Sequence, residues 1–401
     1  MNELGVTGPA GRSRCRRSPG GRLARALAVM LMLAGVLTGT IPAAASAATC
    51  QSWSGLQPPS PGANGNELSG VAVLSPCNAW TVGSFNNASG QQTLVEHWDG
   101  TAWTVVPSPD PGSVDDSLAG VRAVSASDVW AVGTDDNPGI GQTLIVHWDG
   151  HNWAHVTSPN PGANNSLAAA RAVSANNAWA VGSYVGGGME RSLIMHWNGT
   201  TWTQTTSPSP GQGGGLDAVA ATSAGNAWAV GEWFGTSGFS QTFILHWNGH
   251  AWAQVASPSP GQSSRLNAVA ATSASNAWAV GSSFDASGAS QTLILRWNGH
   301  TWSQVTSPNP GGPSGFHGLN GVTATSASNA WAAGSYTTGP GTPENVLLLQ
   351  WNGSTWQAVP GPTLGTTNRL FAVAASSTGN VWAVGEFSNG GASQALALHC
   401  C

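Results

Sequence analysis

Gly225-Asn226-Ala227-Trp228-Ala229-Val230-Gly231 decides the fold, because the chain contains seven variants of this stretch. The tryptophan of the stretch recurs at Trp80, Trp130, Trp179, Trp228, Trp278, Trp331 and Trp382. The successive intervals are 50, 49, 49, 50, 53 and 51 residues. A repeat of this period is typical of solenoids, propellers and other arrays, so it determines the architecture before any other feature does.

Each repeat contains four short runs that are typical of β-strands. In the copy over residues 216–261, the runs are residues 216–222, 227–230, 241–247 and 251–255. Asn248-Gly249 lies between the last two runs and is a strong hairpin signal. A Ser-Pro-Ser-Pro-Gly segment at 257–261 ends the unit. Four short strands separated by turns predict one blade of a β-propeller.

Residue size and proline predict the strand order within a blade. The first strand consists mostly of Ala, Val, Gly and Thr, which fit the crowded space beside a central channel. The fourth strand runs into Pro-x-Pro, and proline blocks further pairing at a sheet edge, so this strand is outermost. We therefore predict an all-β fold over residues 48–401: a seven-bladed β-propeller of four-stranded antiparallel blades.

The two ends of the repeat region predict how the ring closes. Residues 51–53 and the prolines after them match only a fourth strand and its linker. The last residues of the chain supply the first three strands of a final blade. We expect the N-terminal strand to close that blade, because the pairing removes two free sheet edges.

Cysteines flank this predicted closure. Cys401 and Cys50 align with the Asn-Gly pair of the other hairpins. In an oxidising compartment we expect a disulfide from Cys50 to either Cys401 or Cys400, and Cys77 would pair with whichever remains. Four cysteines permit three connectivities, so the sequence leaves these alternatives open.

Residues 1–47 have the three-part pattern of a secretory signal peptide. Six arginines between residues 12 and 25 precede an apolar run from 26 to about 41, and Ala45-Ser46-Ala47 is an A-x-A cleavage site. An uncleaved anchor is the alternative, although the run is short for a membrane span. We expect a secreted, extracellular protein with no membrane span after cleavage of the signal.

Residues 48–401 carry an excess of negative charge. They contain six arginines, no lysine and sixteen Asp or Glu residues, which gives a formal charge of −10. A surface with so few cations cannot neutralise a run of phosphates, so nucleic acid is not an expected partner.

The repeat resembles those of known propellers. Trp-Ala-Val-Gly is followed by a loop and by a segment of the form Leu-Ile-Leu-His-Trp-Asn-Gly-x-x-Trp, and the hairpins read Asp-Gly-Thr-Ala-Trp at 99–103 and Asp-Gly-His-Asn-Trp at 149–153. This pattern is similar to the Asp-box (sialidase-type) propellers and the photosystem II assembly-factor propellers, with kelch-like repeats as another possibility. The resemblance covers residues 50–401. It implies the fold and no particular activity, because propellers host many unrelated functions.

Aromatic residues recur in the variable loops between the second and third strands. The position five residues after each repeat tryptophan is occupied by Phe85, Asp135, Tyr184, Trp233, Ser283, Tyr336 and Phe387, and Phe284 follows one position later. Aromatic rings around a channel mouth would stack on sugars, with Glu232 and Glu386 as hydrogen-bond partners. The alternative is that each ring only seals the base of its loop against the next blade.

A second set of polar residues lies at the start of the innermost strands and is predicted to line the channel entrance. The set consists of Glu67, Asp217, Arg265, His317 and Arg369. The alternative is that these side chains only solvate the junction between loop and strand. Arg122 and Arg171 occupy equivalent positions in adjacent blades, which is a pointer toward an acidic ligand.

We predict no catalytic residue, no metal and no cofactor. The histidines at 97, 147, 196, 246 and 399 occupy one equivalent position in five blades, so they cannot converge on a metal ion and are predicted to be structural. Asp135-Asp136-Asn137 lacks the spacing of a calcium loop. Glu232 and Glu386 belong to the fourth and seventh blades, too far apart for a glycosidase pair.

These observations favour a monomeric, non-enzymatic binding protein that uses the face with the variable loops. A carbohydrate or cell-envelope glycan is the first expected ligand. An extracellular protein–protein interaction or assembly scaffold is the alternative, and glycoside hydrolysis is the third possibility.

Overall fold

The computed structural model describes residues 50, 52–112, 114–137 and 140–401. The predicted signal peptide at 1–47 lies outside the described residues. The described chain folds into 28 β-strands, which form seven groups of four antiparallel strands. The predicted all-β architecture of repeated four-stranded sheets is therefore confirmed. The described residues contain no helix that is long and apolar enough to cross a membrane.

The strands follow the predicted order in each blade. The first strand in the chain is β1 (Trp53–Leu56). Blade 1 contains β2 (Gly65–Ser75), β3 (Asn78–Asn87), β4 (Gly90–Trp98) and β5 (Trp103–Val105). Blade 2 contains β6 (Asp115–Ser125), β7 (Asp128–Asn137), β8 (Ile140–Trp148) and β9 (Trp153–His155). Blade 3 contains β10 (Ala163–Ser174), β11 (Asn177–Gly186), β12 (Met189–Trp197) and β13 (Trp202–Gln204).

The remaining blades repeat the same arrangement. Blade 4 contains β14 (Gly214–Ser223), β15 (Asn226–Phe234), β16 (Ser240–Trp247) and β17 (Trp252–Gln254). Blade 5 contains β18 (Ser263–Ser273), β19 (Asn276–Phe284), β20 (Ser290–Trp297) and β21 (Trp302–Gln304). Blade 6 contains β22 (His317–Ser326), β23 (Asn329–Tyr336), β24 (Asn345–Trp351) and β25 (Trp356–Val359). Blade 7 contains β26 (Thr367–Ser377), β27 (Asn380–Ser388) and β28 (Gln394–Cys400).

The blades are arranged around an axis with their first strands innermost. The first strand of each blade contacts the first strand of the next, and β26 contacts β2. The N-terminal strand β1 pairs antiparallel with β28 and is the outermost strand of blade 7. Blade 7 therefore combines strands from both ends of the described chain.

Tryptophans fill the interfaces between blades. The second-strand tryptophan of one blade packs against the third- and fourth-strand tryptophans of the next. The ring of Trp228, for example, lies 4.8 Å from that of Trp297 and 5.2 Å from that of Trp302. Twenty of the 21 tryptophans occupy these three positions, and Trp233 is the exception. The repeat period of the sequence is therefore the spacing of these core tryptophans from one blade to the next.

A disulfide takes the place of one core tryptophan. Cys400 occupies the third-strand tryptophan position of blade 7, beside Trp331 and Trp53, and is bonded to Cys50 with a Cα–Cα distance of 5.4 Å. One of the two predicted pairings of Cys50 is therefore present. The predicted pairing of Cys77 with the remaining C-terminal cysteine is wrong, because Cys401 is an exposed free thiol.

The linkers between blades are fixed to the third strand that they pass. In the linker from blade 1 to blade 2, Ser108 Oγ lies 2.6 Å from Thr93 Oγ1, and Asp110 Oδ1 accepts a hydrogen bond of 2.7 Å from Thr93 N. The Ser-Pro-x-Pro segments of four other blades make equivalent contacts. These segments are scaffold, as their near-identity among repeats predicts.

Each first strand carries one extra residue near its middle. The pairing of β14 with β15 shifts register between Leu216 and Ala218, so Asp217 is a bulge residue, and the same shift occurs in the other six blades. A bulge bends the strand and re-aims the extra side chain. The bulge residues Asn267 and Asn320 donate to carbonyl groups of the next blade at 2.8 and 2.9 Å. The bulges therefore lie along the inner edge of the ring.

Candidate functional site

Carboxylates concentrate at one end of the propeller. The first strands begin there, and the second and third strands are joined there by loops, so we call this end the loop face. Ten of the sixteen carboxylates of residues 48–401 lie at these strand ends: Glu67, Asp115, Asp116, Asp135, Asp136, Glu190, Asp217, Glu232, Glu344 and Glu386. Only three arginines, at 191, 265 and 369, share this face. The loop face is therefore strongly acidic.

Asp217 is the centre of the first acidic cluster. The bulge takes its side chain out of the regular alternation of the strand, and the residue is exposed overall, whereas its carboxyl group is crowded by the surrounding protein. Burial raises the pKa of Asp217 to about 7, and the negative charges of Glu232 and Glu190 add to this rise. The positive charge of Arg265 acts in the opposite direction. The positive charge of Arg265 is therefore too small to offset burial and the two neighbouring carboxylates, and the ionised form of Asp217 is disfavoured.

Three neighbouring clefts, which share lining residues, lie around this cluster in blades 2 to 5. A cleft of about 510 Å³ is lined by Glu232, Arg265 and Phe284. A smaller one of about 100 Å³ is lined by Asp217, Glu232 and Glu190, and a third of about 500 Å³ by Glu190 and Asp136. Since neighbouring clefts share Glu232 or Glu190, we treat them as one acidic groove.

Two carboxylates of the loop face were not predicted from the sequence, Glu190 in the acidic groove and Glu344 in blade 6. Glu190 lies one position from the start of its third strand, and in blade 6 Glu344 takes the equivalent place. A comparison of the repeats at this position would have found both, because the charge at this position differs among the repeats.

A second cluster lies in blades 1, 6 and 7. The Arg369 Nε atom donates to Glu344 Oε2 at 2.7 Å, and the Nη1 atom lies 3.5 Å from Glu386 Oε1. Burial raises the pKa of Glu386, and the charge of Glu67 contributes to the rise. Of the predicted channel-entrance residues, Glu67 and Arg369 are thus brought together here, whereas Asp217 and Arg265 belong to the first cluster.

The predicted position of His317 at the channel entrance is wrong. The side chain is fully buried, accepts a hydrogen bond of 3.0 Å from Gly311 N at Nε2, and lies 3.1 Å from the Ser290 carbonyl oxygen at Nδ1. Asn66 anchors its incoming linker in the equivalent place of blade 1. His317 therefore fixes a linker. The longer linker before blade 6 concealed this equivalence in the sequence.

The aromatic residues of the variable loops lie between blades. Phe85, Tyr184, Trp233, Tyr336 and Phe387 each join the apolar cluster at the interface with the preceding blade. Phe387 is only 3% exposed. These rings also support the incoming linkers: a Cβ on Gly162 would lie 2.7 Å from Tyr184 Cδ2. This placement matches the alternative of rings that seal the loop bases, and it does not form an open ring at the channel mouth.

Asp135 and Phe284, which were predicted with those rings, have different surroundings. Asp135 is buried in blade 2 at 6% exposure, beside Asp116. Phe284 is half-buried and lines the largest cleft of the acidic groove. Phe284 is therefore the aromatic residue of the predicted set that borders the acidic groove.

The recurring histidines pack against the core. The ring of His97 lies 4.4 Å from that of Trp80, and Nε2 lies 3.1 Å from Asn78 Oδ1. His147, His196 and His246 lie at a tilt against the equivalent tryptophans, and His399 stacks on Trp382. Nowhere in the described ranges do three or more His, Cys, Asp or Glu side chains form a group that could hold a metal ion.

Arg122 and Arg171 lie on the inner strands of blades 2 and 3. Arg171 Nε donates to the Ala221 carbonyl oxygen of blade 4 at 3.3 Å. Burial lowers the pKa of Arg171 to about 9, and the neighbouring charge of Arg122 contributes. Among the described residues, no ion pair joins either cation to a carboxylate, and neither arginine lines the three clefts of the acidic groove.

The chain is similar in structure to several solved propellers at low sequence identity. A structure titled YCF48 bound to D1 peptide aligns with a TM-score of 0.54 at 15% identity, over 87% of this chain and 97% of that one. YCF48 from Cyanidioschyzon merolae aligns with a TM-score of 0.51 at 16% identity, over 87% and 98%. The chain has the propeller fold of these structures.

An enzyme shares the fold as well. The GH74 xyloglucanase from Xanthomonas campestris aligns with a TM-score of 0.54 at 14% identity, over 83% of this chain and 53% of that one. No protein-family model and no curated protein matches the chain. The comparisons therefore establish the fold and leave the function to be argued from the loop face.

Proposed function

We propose that this chain is an exported, non-enzymatic binding propeller that takes a lysine- or arginine-containing protein segment in the acidic groove. Export is supported by the signal-peptide pattern of residues 1–47 and by the disulfide between Cys50 and Cys400, because disulfides persist in oxidising compartments. The strand β1 and that disulfide would close the ring and hold the loop face rigid.

The single observation that carries the proposal is the group of Asp217, Glu232 and Glu190 around one small cleft. Burial is the main cause of the pKa of about 7 at Asp217, and the like charges of Glu232 and Glu190 add to it. A ligand cation in the cleft would remove this repulsion and would favour the ionised carboxylates. Complementary charge of this kind gives an interface its specificity and a fast association rate.

A peptide ligand is consistent with the fold. The solved YCF48 structure contains a D1 peptide, and the identity of 15% transfers only the architecture to this chain. The groove spans four blades, so an extended segment would fit it better than a single small molecule would.

The test is a calorimetric titration with a short Lys- and Ser-containing peptide and a matched Glu- and Ser-containing peptide. The variant Asp217→Asn/Glu232→Gln removes two charges from the groove. The control Asp99→Asn/Asp149→Asn removes two charges from the hairpins, where four blades already have Asn. We expect the groove variant to bind the cationic peptide about tenfold or more weakly than the wild type does, and the control to be unchanged. Equal binding by all three proteins would refute the proposal.

Glycan binding is the second candidate function. Trp233 is the one tryptophan outside the core positions, it follows Glu232 directly, and it is only half-buried. A half-exposed indole next to a carboxylate suits a sugar ring. Retention on a glycan array that is lost in Trp233→Ala/Tyr184→Ala, without binding of the cationic peptide, would place this candidate first.

Glycoside hydrolysis is the third candidate. Asp217, with a pKa of about 7 beside Glu232, has the protonation state of a general acid near neutral pH. Hydrolysis of a panel of aryl glycosides and polysaccharides that disappears in Asp217→Asn would favour this reading over a purely binding role.

A further inference from the structure

Two adjacent blades carry arginine at a position where the other blades have small residues. The position lies on the first strand and pairs with the repeat tryptophan of the second strand. In chain order its residues are Ala72, Arg122, Arg171, Ala220, Ala270, Thr323 and Ala374. Residues 48–401 contain six arginines and no lysine, so a third of their cations occupy this one position.

The strands that carry the two arginines lie directly against one another. A Cβ on Gly120 of β6 would lie 3.0 Å from both the Ala168 carbonyl oxygen and Ala169 Cα of β10. Gly120 and Ala169 each precede the arginine of their strand by two residues. The charge of Arg122 helps to lower the pKa of Arg171. The two guanidinium groups are therefore close enough to repel each other.

Most N–H donors of this pair have no acceptor within the described part of the chain. Arg171 Nε donates to the Ala221 carbonyl oxygen at 3.3 Å, and this is the one hydrogen bond that either side chain makes there. Arg122 Nε is shielded from solvent and has no partner. The Nη atoms of both arginines also make no hydrogen bond to the described residues, but they remain accessible to solvent. A ligand from solution could therefore reach these donors.

The positive charge of the pair is not neutralised by the described residues. No ion pair joins either arginine to a carboxylate among them. Burial lowers the pKa of both groups, and even the value of about 9 at Arg171 leaves it charged at neutral pH. A partly buried charge without a partner is costly, and a second like charge beside it adds to the cost. A bound anion would remove both costs.

We propose that Arg122 and Arg171 bind a small oxyanion, such as phosphate or a carboxylate, at the first strands of blades 2 and 3. Guanidinium groups bind these anions through two parallel N–H···O bonds, and the accessible Nη atoms are suited to make them. The equivalent alanine or threonine of the other blades supplies no acidic side chain in place of the anion. The acidic groove would take a ligand of opposite charge, so this site does not depend on the proposed function.

The experiment is a calorimetric titration with phosphate and with acetate in a chloride buffer of constant ionic strength, together with the thermal unfolding midpoint in each anion. Arg122→Ala/Arg171→Ala introduces the residue of blades 1, 4, 5 and 7, so the variant is expected to fold. Arg296→His is the control, because it removes a cation at a third-strand position where five blades already have histidine.

We expect at least one of the two oxyanions to bind the wild type and the control and to raise their unfolding midpoints above those in chloride. The tighter of the two identifies the ligand as a tetrahedral oxyanion or as a carboxylate. Arg122→Ala/Arg171→Ala should bind it at least about tenfold more weakly, because the paired charge-assisted hydrogen bonds are lost.

Two results would overturn the proposal. One is a wild type that gives no heat beyond dilution with either oxyanion and the same midpoint in all three anions, which would mean that solvent alone surrounds the arginines. The other is equal binding of the oxyanion by the wild type and by Arg122→Ala/Arg171→Ala, which would place the anion elsewhere on the protein.

Discussion

Replacement of Glu96 by leucine should stabilise this protein. Glu96 lies on β4 of blade 1, is fully buried, and has no hydrogen-bond partner for either carboxyl oxygen. Leu94 and Trp98, two positions away on the same side of the strand, belong to the apolar cluster between blades 1 and 7. The equivalent residues of the other blades are all apolar: Val146, Met195, Leu245, Leu295, Leu349 and Leu398.

The magnitude follows from the proton that Glu96 must bind on folding. Burial raises its pKa from 4.5 to about 8. Between these two values the folded state keeps a proton that the unfolded state releases, so stability falls as pH rises, by about 1.4 kcal/mol per pH unit. The wild type therefore loses about 3 kcal/mol between pH 4.5 and pH 7 from this group alone. Glu96→Leu avoids that loss and also buries apolar surface.

The assay is urea unfolding followed by tryptophan fluorescence at pH 4.5 and pH 7. We expect Glu96→Leu to exceed the wild type by about 3 kcal/mol or more at pH 7, and by clearly less at pH 4.5. Glu96→Gln is the matched control: it removes the titration but keeps a buried polar group, so its stability should lose this pH dependence with a smaller gain. A leucine variant no more stable than the wild type at pH 7, or a gain independent of pH, would show that Glu96 is not a destabilising buried acid.

Three further predictions concern the ring closure, the core and the groove. Cys50→Ser/Cys400→Ser removes a disulfide that joins residues 350 positions apart in the sequence. In the chain-entropy model its loss should lower the free energy of unfolding by up to about 6 kcal/mol, measured by urea unfolding. An unchanged unfolding midpoint would contradict this prediction. Trp228→Ala should cost about 4 kcal/mol, and Trp233→Ala less than half of that, in the same assay. Because Asp217 has a pKa of about 7, binding of a cationic peptide should weaken from pH 8 to pH 6 in calorimetry, and a pH-independent affinity would argue against its role.

The architecture could be read from the sequence because one core motif generates it. Trp228 and its six equivalents fill the interfaces between blades, so the spacing of these residues counts the blades directly. The position of Cys50 relative to the C-terminus limited its partner to two residues. The choice between Cys400 and Cys401 depended on which side chain points into the interface beside Trp331, and that was not visible in the spacing.

The aromatic residues were harder to place because both faces of a blade are buried against neighbours. Side chains alternate along a strand, so Tyr184, five residues after Trp179, points to the opposite neighbouring blade. Second-strand side chains therefore contact adjacent blades and do not surround the channel. The first strands contact one another around the axis, and there the bulge at Asp217 re-aims a side chain that simple alternation would have placed elsewhere.

The buried carboxyl groups could not be recognised from one sequence. Glu96, Asp116 and Asp135 are ordinary polar residues by type, and only the register shows that their equivalents are apolar, amide or aromatic side chains. A systematic alignment of the seven repeats would have found these exceptions. Their burial still required the coordinates, as did the unpaired carboxyl oxygens of Glu96 and Asp116.

The most direct test of the acidic groove as the binding site is a peptide array of graded charge probed with the wild type and with Asp217→Asn/Glu232→Gln, alongside a glycan array. We predict that the wild type retains Lys- and Arg-containing peptides, that retention falls as salt increases, and that the groove variant loses it. Retention of glycans alone, or of cationic peptides equally by both proteins, would contradict the assignment of the acidic groove as the binding site.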